Sequence, residues 1–348
     1  MEVEMRKIAV LLTALILASL PGAGVAAPAS AAATLATIPQ PALDIAFPKE
    51  SPVTNGYNGH NYPTWIGVGE QRAAVLPIIN GAVTGDATRI NKYWPVFGAT
   101  FSHQRADGGF DYMPVVAGVV QKEEWQPGGV AFWVGDSAVA LLVLRSSSLG
   151  PQYAARINAL IPKYRLTVSY LAEASHVASM MYFNRGPRGP GSTNRVLEVA
   201  KALIVGGILV NNQQAISEGN QVLGQALAVQ DPSGYFPEGP GPDSSYSAVS
   251  CANLAETALF YDDPRILPAL RRGVEWELTR IHPDGRLDVA GNTRTGIGHT
   301  TIYGTNYGVN YLDLTRGLAV SGALLGDANV LHAAVLTATY IKTNPHGP

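Results

Sequence analysis

Between residues 234 and 246 the chain reads Gly234-Tyr235-Phe236-Pro237-Glu238-Gly239-Pro240-Gly241-Pro242-Asp243-Ser244-Ser245-Tyr246. Two carboxylates and two phenols are thereby held close together in a segment stiffened by proline and glycine. Asp243 and Ser244 have an architectural use as well, because either can cap a helix that starts at Tyr246. Glu238 lies ahead of that cap, which leaves its carboxyl for chemistry. Upstream, Asn194 and Arg195 stand at another helix start and offer an amide and a guanidinium to an anion. Downstream, the run Gly291-Asn292-Thr293-Arg294-Thr295-Gly296-Ile297-Gly298-His299 adds Asn292, Arg294 and His299. These three have plainer uses too, Asn292 in a turn, Arg294 in an internal ion pair and His299 as a solvated loop residue.

The aromatic residues in and beside these segments suit a glycan. Tyr235, Trp125, Trp133 and Tyr307, with Phe110, Tyr112 and Tyr303, supply flat faces that cover pyranose rings, while Asn292 and Arg294 answer hydroxyls and carboxylates. Each ring taken singly also fits simple loop packing. β-Elimination beside a uronate carboxylate requires that carboxylate to be neutralised, for which Asn194, Arg195 and Arg294 are suitable donors. It also requires a base at C5: Tyr246, if a neighbouring Arg lowers its pKa, or else His299. A glycoside hydrolase would instead use two carboxylates, Glu238 and Asp243, with Asp107, Asp111, Glu123, Glu124 and Asp136 on adjoining segments. Of these, Asp136 reads as a helix-start residue. A non-catalytic glycan-binding protein would keep the aromatic residues alone.

An Asn at one helix start, a Gly-aromatic-x-x-Glu loop two helices later and a Tyr at the next helix start form a pattern carried here by Asn194, Gly234 to Glu238 and Tyr246. That pattern resembles the alginate lyase and heparinase-like polysaccharide lyases, over roughly residues 184–281. The resemblance implies an α/α toroid and a uronate-containing substrate; with no metal-binding motif in the sequence, no cofactor is expected. It also implies carboxylate neutralisation by Asn194 and proton movement by Tyr246. Two positions depart from the family: Arg195 stands where those enzymes carry His, and the Arg of their loop before the Tyr is missing.

Positioning these residues requires a scaffold, and the hydrophobic pattern supplies one made of repeated helical hairpins. Five are legible, over residues 65–103, 130–183, 195–229, 246–281 and 309–341, turning near Gly85-Asp86, Ser148 to Pro151, Asn211-Asn212, Asp262-Asp263-Pro264 and Gly326-Asp327. The spacing is irregular and near about sixty residues. Turns within hairpins are short and connectors between them long, so side-by-side hairpins would send every long connector to one face. Three connectors open on related turns, around Asp107-Gly108-Gly109, Pro232-Ser233-Gly234 and Pro283-Asp284-Gly285. The expected fold is all-α, an incomplete or complete α/α toroid of about five to six antiparallel hairpins. Short strands are expected only at 287–290 and 300–303.

Arg6 and Lys7 precede an apolar run from Ile8 to Leu20 and then small residues, the pattern of a secretory signal peptide. Setting residues 1–33 aside leaves 34–348 as a single domain of about 315 residues, secreted or periplasmic, with no membrane contact after signal removal. A net charge of −2 and 14% charged residues argue against nucleic acid as partner and leave a polysaccharide or oligosaccharide. The single cysteine, Cys251, falls in an apolar helical pattern and reads as a packing residue. No metal motif is evident in the spacing of His, Asp and Glu.

Overall fold

The computed structural model describes residues 30–54, 57–58, 65–113, 115–116, 119–120, 126–185, 191–296 and 308–344. The architecture is all-α, with two antiparallel hairpins of two-residue strands, β1 (Val53–Thr54) with β2 (Tyr57–Asn58) and β3 (Val115–Val116) with β4 (Val119–Val120). Neither hairpin lies where strands were expected. At 287–290 only an isolated bridge forms, between Ile281 and Leu287, and 300–303 lies outside the described residues.

The three C-terminal hairpins are close to their expected form, because their turns are set by local chemistry. Helix α9 (Thr193–Val210) ends on Asn211 at φ 59°, and Asn212 caps α10 (Gln213–Ala228) by accepting from the Ala215 N–H. Helix α11 (Ser244–Ala258) leads into α12 (Ile266–Leu278), and α13 (Tyr311–Leu325) ends on left-handed Gly326 before Asp327 caps α14 (Ala328–Thr343). Left-handed residues and side-chain caps satisfy the backbone groups that helix ends leave open.

The first two hairpins are more broken than the pattern suggested. A 3-10 helix, Val68–Val75, precedes α3 (Leu76–Thr84), and the return leg is split into α4 (Ala87–Tyr93) and α5 (Pro95–Phe101). Pro95 lacks the N–H needed to continue a helix, so a new one starts on it. In the second hairpin α6 (Gln126–Ser146) packs on α7 (Gly150–Leu171), and α8 (Ala174–Arg185) follows after a break. At that break the Tyr170 carbonyl meets His176 Nδ1 at 2.6 Å. Helix α6 is long and apolar enough to cross a membrane, yet its two faces are enclosed by neighbouring helices. It starts earlier than expected, which puts Asp136 in mid-helix and not at a helix start.

Helices α3, α6, α9, α11 and α13 touch in sequence order, and α7, α10, α12 and α14 each back their hairpin partner. Two short N-terminal helices, α1 (Ala31–Leu35) and α2 (Gln40–Ala46), lie between the ends of this series. Helix α1 contacts α3, α6 and α13, and α2 contacts α13 and α14. Asn80 of α3 donates to the carbonyl of Phe47 at 2.8 Å, just past α2. Leu35 is fully buried and Ser30 caps α1, so a boundary at residue 33 falls inside a packed helix.

The related connector turns do the same thing three times. Gly108, Gly234 and Gly285 all have positive φ (92°, 115° and 88°), and a methyl on any of them would overlap a helix carbonyl, of Leu166, Arg272 and Leu336 respectively. Each turn thus lies against the second helix of the following hairpin. The residue two beyond it, Phe110, Phe236 or Leu287, is buried. Glycine is the one residue that meets both demands.

Candidate functional site

The site grows out of helix N-termini. Asp243 caps α11: its Oδ1 accepts from the N–H groups of Ser245 and Tyr246, both at 3.2 Å. Its Oδ2 accepts from the N–H groups of Arg294 at 2.8 Å and Thr295 at 2.7 Å. One buried carboxylate therefore joins the start of α11 to the loop 291–296. Asn292 adds a second tie, accepting from the Ser244 N–H at 3.0 Å and donating to the Ser244 hydroxyl at 3.0 Å. The Thr293 hydroxyl supplies a third, donating to the Glu238 carbonyl at 2.7 Å. Asn310, which caps α13, donates its N–H to the Ser245 hydroxyl at 3.2 Å. The N-termini of α11 and α13 therefore gather at one end of the helical array. Backbone bonds from Thr193 to the Pro237 carbonyl and from Gly239 to the Gly191 carbonyl bring the start of α9 to the same place.

Glu238 is the centre of this arrangement, with only 2% of its surface exposed. Its Oε1 accepts from the Ser192 hydroxyl at 2.7 Å and pairs with the Arg294 guanidinium; its Oε2 accepts from the Asn194 amide at 2.7 Å. Burial raises the Glu238 pKa, and the bonds from Ser192 and Arg294 oppose the rise without cancelling it. Arg294 also lies over the Tyr246 ring, its guanidinium carbon 4.5 Å from the centroid. Arg195, at the start of α9, is exposed. Surrounding protein and then the like charge of Arg294 lower its pKa, while Glu238 and Tyr246 act in the opposite direction. Tyr246 is partly exposed, and two guanidinium groups lie in its field.

Asn194, Arg195, Glu238, Asp243, Tyr246, Asn292 and Arg294 are therefore brought together from three connectors distant in sequence. Their tasks differ from a list of equal candidates. Asp243 has both oxygens committed to four backbone amides, and the Asn292 amide is committed to Ser244. Tyr235 packs against Trp276 of α12, ring centroids 5.3 Å apart. Trp133 requires a correction: it was expected as a sugar platform but is fully buried, with Phe97 and Phe101 packed around it at 5.8 and 6.3 Å. It belongs to the core because it lies on the face of α6 that packs against Phe97 and Phe101 of α5. Trp125, His299 and Tyr307 lie outside the described residues.

Sequence reasoning missed Ser192, which occupies an N-cap position yet makes no side-chain cap and gives its hydroxyl to Glu238. A serine before Thr193-Asn194 looks like a routine cap, so nothing local reveals that use. It also missed a buried ionic cluster deeper in the fold. There Lys201, fully buried, contacts Asp136 at 2.7 Å, Glu256 at 2.9 Å and Glu198 at 3.2 Å. Arg316 adds a bond to Asp313 at 2.6 Å. Lys201 and Glu198 sit three residues apart on α9, a spacing that reads as an ordinary surface ion pair.

Cys251 is buried and unpaired, and burial pushes its thiol well above the ordinary value. It is a packing residue in a position where the thiolate does not form. No protein-family model, curated protein or solved structure matches this chain.

Proposed function

We propose that this protein is an exported carbohydrate-active enzyme, a polysaccharide lyase that cleaves a uronate-containing glycan by β-elimination on an α/α toroid. The observation that carries the reading is the placement of Tyr246, partly exposed, under the Arg294 guanidinium with Arg195 alongside. The resemblance to alginate lyase and heparinase-like enzymes at Asn194, Glu238 and Tyr246 is consistent with it. The ring-like order of helix contacts, with α1 and α2 lying between the last hairpin and the first, supports the toroid. The basic and apolar start of the chain supports export.

The chemistry follows from these groups. A uronate carboxylate at Arg195, with Asn194 behind it, loses the repulsion that would oppose a second negative charge on C6. Two positive neighbours favour negative charge on the Tyr246 oxygen, which takes the C5 proton. The C5–H electron pair forms the C4–C5 double bond, the C4–O bond breaks, and the same proton returns to the departing oxygen. No water is consumed. Glu238, bonded to Asn194 and Arg294, keeps both donors oriented.

The hydrolase alternative needs a second carboxylate able to reach a glycosidic bond, and Asp243 is occupied by its four amides. The deciding experiment offers uronate-containing and neutral polysaccharides to the purified protein. An ultraviolet-absorbing unsaturated product is expected, and it should disappear in Tyr246→Phe and Asn194→Ala. Reducing ends without that absorbance would replace lyase by hydrolase, and binding without turnover would leave a glycan-binding protein.

A further inference from the structure

The ionic cluster around Lys201 lies on the same two helices as the candidate site, further along each. On α9, Asn194, Glu198 and Lys201 follow at intervals of four and three residues, so they occupy one face on successive turns. Lys201 is about 10 Å deeper than Asn194 at 1.5 Å per residue. On α11, Tyr246, Asn253 and Glu256 follow at intervals of seven and three. Two directional contacts join the helices below the site. Asn253 donates to the Asn194 carbonyl at 3.0 Å, and Lys201 donates to Glu256 at 2.9 Å. All four residues are buried.

Apolar packing is non-directional and tolerates small slides of one helix along another. A buried, hydrogen-bonded ion pair does not, because a displaced charge would be left without its partner. Lys201 also reaches Asp136 on α6, and Gly135 there leaves the room its stem needs, since a side chain at that position would meet Glu198 and Lys201. Arg316 of α13 holds Asp313, with Nε 3.7 Å from Glu256.

We propose that Lys201 is a positioning residue for the site above it. Its ammonium, bonded to Asp136, Glu198 and Glu256 together, fixes the axial register of α9 against α11, and so the placement of Asn194 and Arg195 relative to Tyr246. This rests on the lyase reading where it concerns turnover; where it concerns the placement of Tyr246 it stands independently.

The test combines Lys201→Met with Glu256→Gln, which removes one positive and one negative charge together and leaves the net charge of the cluster unchanged, with Arg316 4.0 Å from Asp136. The protein is labelled with fluorotyrosine, the Tyr246 fluorine resonance being assigned by its loss in Tyr246→Phe. The double variant should fold, show a displaced Tyr246 resonance with a changed titration, and leave the Tyr311 resonance in place. On a uronate glycan that the wild type cleaves, kcat should drop at least tenfold with KM within twofold. A Tyr246 resonance and titration identical to wild type would overturn the proposal, as would unchanged kcat despite a displaced resonance. Should the double variant not fold, Glu256→Gln alone, isosteric and still able to accept from Lys201, is expected to move the resonance in the same direction by less; no movement there overturns the proposal. A wild type inactive on every uronate glycan would refute the lyase reading, and the fluorine measurement would still decide this one.

Discussion

The Arg294 guanidinium lies 4.5 Å over the ring of Tyr246, and one carboxylate holds both residues, since Asp243 accepts from the backbone N–H of each. The backbones that carry the cation and the phenol are thus tied to one buried carboxylate, and Glu238 holds the guanidinium itself. Such a site is built before any substrate arrives.

Removing the Tyr246 hydroxyl should separate chemistry from folding. Tyr246→Phe keeps the ring under Arg294, so the variant should fold. Turnover should fall by about 100- to 10,000-fold if the phenol moves the proton. Steady-state kinetics beside a denaturant titration measure both; equal turnover in the variant would remove Tyr246 from the reaction.

Glu238 and Arg294 should behave as a coupled pair. Arg294→Gln leaves a buried carboxylate with its charge uncompensated and should cost about 3–5 kcal/mol. Adding Glu238→Gln should recover part of that loss, because the amide carries no charge. A double-mutant cycle reads the coupling directly, and strict additivity would show that the contact carries no energy.

Asp243→Ala should act on stability before activity. It releases four backbone amides at the start of α11 and in loop 291–296, a loss of at least about 2 kcal/mol. Denaturant midpoints check this. A variant as stable as wild type but unable to cleave any glycan would instead make Asp243 a reacting group.

The pH dependence of stability should slope downward across neutrality. Burial pushes Glu198 up to about 7 from an ordinary 4.5, against the pull of Lys201, and pushes Glu277 well above its ordinary value, with the Asp243 charge adding to the rise. A folded state that holds its protons more tightly than the unfolded chain is favoured below the unfolded pKa. That contribution is full below pH 4.5 and is lost as pH rises through about 7 for Glu198 and through its own raised value for Glu277. Glu277→Gln cannot ionise, so its urea midpoint should fall less than that of wild type between pH 5 and pH 8, taken as about the working range. Parallel curves for the two proteins would exclude Glu277 as a source of the slope.

The repeated turn glycines should be far less replaceable than a glycine with positive φ in open space. Gly234→Ala meets the Arg272 carbonyl as well as an unfavourable φ and should cost more than the about 1–3 kcal/mol of the strained φ alone. Gly291, at φ 77° with nothing within 4 Å of the added methyl, should cost only about 1–2 kcal/mol as Ala. Equal losses at the two positions would mean that docking of the connector on α12 is unimportant.

Much of the scaffold was legible because its signals are local. Apolar periodicity marked the helices, and Asn211-Asn212 and Gly326-Asp327 marked turns whose caps form within a few residues. The convergence of three connectors on Asn194, Glu238, Tyr246 and Arg294 was legible too, as a consequence of hairpins laid in sequence order. The breaks at Trp94-Pro95 and near Tyr170 were less so, and the inward turn of Trp133 not at all, since that depends on which face of α6 meets Phe97 and Phe101.

By itself the sequence determined an all-helical repeat, its turns and the placing of chemistry-bearing residues at helix starts, all of which depend on contacts within about one turn of helix or one short loop. Only the tertiary structure decided what each of those residues does. Asp243 became a four-amide cap, Glu238 a buried partner of Ser192, Asn194 and Arg294, and Lys201 the hub of charges from three helices. The reason is that hydrogen bonds and ion pairs are short-ranged and directional, so their partners are chosen by segments that sequence separates and packing brings together.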